Sequence, residues 1–194
     1  MGVGMDIRII YSYMYNRQLN FHRSKEQVWE RFKQLEGSCE ELKELTDRFL
    51  LDAIYRMEEC IGEKIPREEI RIYIVMRERG GSFHEPLTLQ YDEDQKFMFA
   101  ELLHLVGHHL IKDRGALGES KINLVVETVL SELPLNFSKQ IERLHRNQQN
   151  RYPEYFRIDA KEYDLTKKNV REWFPPVEKK GEKKKEWKEY EDPD

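Results

Sequence analysis

Three of the chain's six histidines fall within Glu101-Leu102-Leu103-His104-Leu105-Val106-Gly107-His108-His109. His104 and His108 are four residues apart, so in a helix their rings stand one above the other on a single face. One helix offers two nitrogens to a zinc ion in this way. At about 100° per residue, Phe99, Leu102, Leu103, Val106 and Leu110 gather on one side of that helix. Phe97, Glu101, His104, His108 and Ile111 gather on the other. The first side is expected to be core. The second carries two imidazoles and a carboxylate, bracketed by Phe97 and Ile111, and reads as a cleft floor. A third ligand ordinarily arrives from the next helix. Glu127 lies 19 residues beyond His108 at the boundary of that helix's apolar face, with Asn123 one turn earlier. Glu127 is therefore either a metal ligand or an ordinary boundary carboxylate.

The run Leu103 to Leu110 resembles a degenerate H-E-x-x-H motif of the zincin metallopeptidases, in the manner of small archaeal-type members. The resemblance extends over residues 66–133, with a strand at Ile70–Met76, the segment Ser82 to Leu89, and then the histidine helix. It implies a zincin-like α+β fold: a small mixed or antiparallel sheet packed with long helices, one of them bearing the metal site. It implies zinc on His104 and His108, with Glu127 as third ligand in the gluzincin manner. It also implies an edge strand beside the metal helix that takes an extended peptide or protein segment. Leu105 stands where the motif's glutamate belongs. That carboxylate takes the proton from metal-bound water, so weak or absent peptidase activity is expected. A second frame, Ala100-Glu101-Leu102-Leu103-His104, keeps the glutamate and the second histidine. It makes Glu101 the catalytic candidate at the cost of the first histidine. Glu101 with His104 also forms one E-x-x-H half of a di-iron set, which needs a second half on a partner helix, and no second half is read in the chain.

A competing class is a non-enzymatic interaction protein. Arg143, Arg146, Arg151, Tyr152, Tyr155, Phe156 and Arg157 mix cations with aromatic rings as single-strand binders do, which would suit nucleic acid or ribosomes. The alternative for that segment is aromatics packed beneath snorkelling arginines. His84 and His109 read as surface residues. The sequence has neither a glycine-rich phosphate loop nor a G-x-S-x-G elbow.

These groups need elements to hold them. Ile7 to Met14 reads as a strand. Ser24 with Gln27, Ser38 with Glu41, and Asp92 with Gln95 are capping-box signatures. The second opens a helix from about Ser38 to Ile61, stopped by Gly62. Ile70–Met76 alternates as a half-buried strand. Leu87–Tyr91 is a further strand, placed at an edge by Pro86. The histidine helix is expected to reach Lys112 and end at Gly115. Ser120 is expected to cap the next helix, ended by Pro134, and Ser138–Gln149 makes a last one. Residues 150–176 hold too many aromatics for disorder and are expected to wrap the domain.

The chain has 194 residues, 39% hydrophobic and 36% charged, enough to bury a core without disulfide or metal. Its net charge of −4 is not that of a generic nucleic-acid binder. No apolar run approaches the ~20 residues of a membrane span, and the first residues lack the pattern of a signal peptide. Cys39 and Cys60 sit at opposite ends of one expected helix, about 30 Å apart, so free thiols in a cytoplasmic protein are expected. The wealth of Glu, Lys and Arg fits a thermophile. Residues 1–176 read as the zincin-like domain. Residues 177–194, rich in Lys and Glu, read as a charged flexible tail.

Overall fold

The computed structural model describes residues 6–65, 69–76, 82–84, 86–111 and 115–175. The expected tail, 177–194, lies outside the described residues. The elements run β1 (Asp6–Tyr11), α1 (Tyr13–Leu19), α2 (Lys25–Gly37), α3 (Glu40–Leu45), a π-helical turn (Thr46–Leu50), α4 (Leu51–Ile61), β2 (Glu69–Val75), β3 (Phe83–His84), β4 (Leu87–Gln90), α5 (Gln95–Leu110), α6 (Gly115–Glu132), α7 (Ser138–Arg151) and α8 (Val170–Trp173). The fold mixes helices with one small sheet of order β1-β2-β4-β3. The first three strands of that order are mutually parallel, and only the two-residue β3 is antiparallel. An all-antiparallel sheet is thus not what forms. β4 is not the expected edge strand either. Pro86 stands just outside its ladder, and β4 lies between β2 and β3, with Leu87, Thr88 and Leu89 all buried.

The strand expected over Ile7–Met14 stops at Tyr11, because Ser12 caps α1 by accepting from Tyr15 N. α1 then completes the sheet. The Asn16 amide donates to Ile74 O and accepts from Met76 N, standing in for the strand partner that β2 loses where β1 ends. The capping box at Ser24 and Gln27 forms. The one expected at Ser38 does not, since the Ser38 hydroxyl donates back to Gln34 O. Gln95, from α5, supplies that cap instead: its amide accepts from Leu42 N and donates to Ser38 O. Gly62 ends α4 at φ 79°, the left-handed geometry a glycine stop requires. Cys39 and Cys60 are both free and buried, and burial pushes the Cys60 thiol up to about 11.

α5 is the central helix, in contact with α3, α4, α6, α7, β3 and β4. Both of its sides are covered. Phe99, Leu102, Leu103 and Val106 pack into the common hydrophobic cluster. The opposite stripe, expected to floor a cleft, is roofed by α6 and α7. Phe97 lies under the Arg143 guanidinium, 3.7 Å from ring centroid to Cζ.

Asp94, not Asp92, caps α5 by accepting from Phe97 N, and Asp92 in turn accepts from Asp94 N. Arg143 of α7 pairs with Asp92 through both guanidinium nitrogens. That bond holds the Asp92 carboxyl below its ordinary value of 3.8. A depressed folded pKa gives stability that is present above the unfolded value and lost as pH falls through the folded one. Asp92→Asn is therefore expected to flatten the acid limb of a urea-midpoint profile below about pH 4, with little change in its slope near neutrality. A variant profile parallel to the wild type down to pH 2 would contradict this.

Candidate metal centre

α5 places Glu101, His104 and His108 along one stripe. α6 places Glu119, Asn123 and Glu127 along another, each one turn from the next. α7 adds His145 and Gln148. The two helices approach closely because residue 107 is glycine: a Cβ there would come within 2.7 Å of Ile122 Cγ2.

His104 and His108 lie on the same side of α5, with their Nε2 atoms 3.2 Å apart. Their carboxylate is Glu119. Its Oε2 lies 3.0 Å from His104 Nε2, and its Oε1 lies 3.7 Å from His108 Nε2. Yet Glu119 Oε2 meets no donor in hydrogen-bond geometry. Gln148 Nε2 also stands 3.2 Å from His104 Nε2. These groups are enclosed: His104 is 4%, Glu119 5% and Gln148 7% exposed. Burial alone would raise the Glu119 carboxyl, but the contact to His104 and the charges of His108 and Arg151 outweigh it and hold the group below its usual range.

A hydrogen-bond chain sets the tautomers. Asn123 Nδ2 donates to Tyr155 OH at 3.0 Å, which leaves its carbonyl oxygen to accept from His104 Nδ1 at 2.8 Å. In the neutral imidazole, Nε2 then carries the lone pair and turns it toward Glu119 and His108. The Tyr155 hydroxyl donates onward to His145 Nδ1, and His145 Nε2 donates to Glu127 Oε2 at 3.0 Å. Arg157 closes the chain on Glu127 Oε1 at 2.8 Å. A histidine ligand typically has its second ring nitrogen fixed by such a partner.

His104, His108 and Glu119 can hold a metal ion, their ligating atoms all lying within 4.8 Å of one another. Ligands at about 2.1 Å from a tetrahedral zinc stand roughly 3.4 Å apart, a value bracketed by the 3.0, 3.2 and 3.7 Å seen here. The orphaned Glu119 oxygen beside an imidazole lone pair is the arrangement a cation resolves.

The structure places the two other candidate carboxylates outside this cluster. Glu127, named as third ligand, lies two turns beyond Glu119, where His145 and Arg157 occupy both its oxygens. Ser120 bears on which carboxylate the helix presents to the histidines. It reads as a helix cap, but α6 begins five residues earlier, at Gly115, and the Ser120 hydroxyl sits between the carbonyls of Ala116 and Phe156. Glu119 is thereby inside the helix and one turn from Asn123. A stripe of Glu119, Asn123 and Glu127 at four-residue spacing was the available signal. Glu101 lies one turn before His104 and accepts from Ser82; burial raises its carboxyl. Leu105 is buried in the hydrophobic cluster. A second E-x-x-H does exist, Glu142 to His145 on α7. Glu142 is exposed on Arg157, however, while His145 faces Glu127 and Tyr155, so the two halves share no centre.

Part of the basic aromatic segment is engaged within the fold, while Phe156 is exposed. Arg143 holds Asp92, Arg157 bridges Glu127 and Glu142, Arg151 lies over the Tyr152 ring, and Tyr155 is buried. Among the described residues no helix is long and apolar enough to cross a membrane. No protein-family model, curated protein or solved structure matches the chain.

Proposed function

We propose that this chain is a zincin-like, zinc-binding protein whose centre holds the metal on His104, His108 and Glu119 without efficient peptide hydrolysis. The observation that carries the reading is the buried Glu119 carboxylate, with one oxygen toward each of two imidazoles four residues apart and Oε2 left unsatisfied. Two nitrogens and one carboxylate form a ligand set that zinc takes, as does non-haem iron. Zinc with an open coordination position would acidify a bound water toward a pKa near 7. Two features of the chain argue against turnover. General-base help is typically worth about 10²–10⁴-fold, and the position that would supply it is the buried, apolar Leu105. The enclosure of His104 and Glu119 also leaves a substrate carbonyl little room to approach.

The test is metal content after gel filtration of metal-loaded protein, and one zinc per chain is expected. A folded chain that retains no zinc at any loading overturns the reading. Zinc-loaded wild type is further expected to cleave a fluorogenic peptide no faster than a His104→Ala control. Efficient cleavage that disappears in Glu101→Gln would make Glu101 the base and refute this account of the chemistry.

A further inference from the structure

His104 Nε2 has one lone pair, yet three groups crowd it. His108 Nε2 and Gln148 Nε2 each stand 3.2 Å away, and Glu119 Oε2 stands at 3.0 Å. A single donor would satisfy it. Gln148 is more than nine-tenths buried, and its other amide atom, Oε1, has no hydrogen-bond partner among the described residues. A buried amide with a stranded carbonyl oxygen is costly unless another state uses that oxygen. The terminal torsion of glutamine is broad and roughly two-fold. A half-turn about it exchanges the two atoms and brings the oxygen to the place now held by Nε2, opposite the imidazole lone pair.

Resting on the metal-binding reading above, we propose that Gln148 is a switchable fourth ligand of this centre. Without metal its amide N–H covers the lone pair of His104. With metal its carbonyl oxygen turns inward and completes a four-coordinate, closed site. Closed four-ligand sites are structural, whereas catalytic sites keep one position for water. The fourth ligand is neutral and weak compared with a carboxylate, as an axial glutamine oxygen is in some copper sites. Its helix, α7, carries no other ligand and is joined to α6 through His145 and Glu127. Metal binding would thus tie α7 to α5 and α6.

The experiment uses the full chain with cobalt(II) as spectroscopic probe and azide as probe for an open position. In wild type, the intense visible bands of four-coordinate cobalt are expected, unchanged by azide. Gln148→Ala is expected to bind cobalt about 10- to 100-fold more weakly and to show bands that shift with azide. Gln148→Glu is expected to bind about tenfold more tightly than wild type while still excluding azide. The wild-type azide measurement needs no variant to fold. Azide-sensitive wild-type bands, or a Gln148→Ala protein unchanged in affinity and spectrum, would overturn the assignment of Gln148 alone. A folded wild type that takes up no cobalt would remove the metal centre itself, and this ligand with it.

Discussion

Glu119→Gln is expected to weaken zinc binding by about 10²–10³-fold, while Glu127→Gln weakens it by less than about tenfold. Apparent binding energies of structural zinc sites, roughly 10–16 kcal/mol over four ligands, allot about 2.5–4 kcal/mol to each. Each 1.4 kcal/mol is about a decade in affinity. Glutamine keeps the shape of Glu119 but removes the charge beside the two imidazoles. Among the described residues, Glu127 reaches the centre through His145, Tyr155, Asn123 and finally His104 Nδ1. Its loss would loosen the orientation of one ligand without removing any. Competition against a chromogenic chelator separates the two effects, provided circular dichroism shows both variants folded. Equal losses, or a larger loss for Glu127→Gln, would return the third-ligand role to Glu127.

Gly107→Val is expected to lower both stability and zinc affinity. Its first added carbon would meet Ile122 Cγ2 at 2.7 Å, and Met57 Cε lies 3.5 Å away on the same flank. Ile122 is fully buried and β-branched, so its methyl cannot swing aside. Overpacking of this kind costs about 1–3 kcal/mol, or roughly 2–4 °C of melting temperature per kcal/mol in a chain of this size. The gain in helix propensity over glycine, a few tenths of a kcal/mol, does not offset it. The helices forced apart are those that carry His104 and His108 on one side and Glu119 on the other. Metal sites tolerate displacements of only about 0.5 Å, so affinity should fall with stability. Ile122→Ala removes the obstructing methyl. The double variant is therefore expected to lose less stability than the sum of the two single ones, by about 0.5–3 kcal/mol. Strict additivity in thermal unfolding would show that the α5–α6 contact is not set by this glycine.

Local rules settled much of this protein in advance. Ser24 with Gln27, Gly62, the alternation of Ile70 to Val75 and the His104–His108 spacing each depend on residues a few positions apart, whose geometry a short stretch of backbone imposes. The helix bearing both histidines and the presence of a polar stripe on it were legible for that reason. Pairings between elements were not. Gln95 looks like part of a cap at Asp92 but caps α3, more than fifty residues earlier, because packing brings the two helix ends together. Ser120 looks like a helix start, but its hydroxyl finds carbonyls of its own helix and of the wrapping segment. Leu87 to Gln90 looks like an edge until β3 folds back on it. The carboxylate that joins the two histidines was the costliest of these ambiguities. Glu119 and Glu127 lie two turns apart on one helix stripe. Which of them meets the histidines depends on how α6 lies along α5, a tertiary arrangement that brings Ile122 against Gly107, and not on the spacing of the residues themselves. Gln148, far along the chain on α7, has no signature in sequence, because an amide becomes a candidate ligand only when the fold buries it against a lone pair.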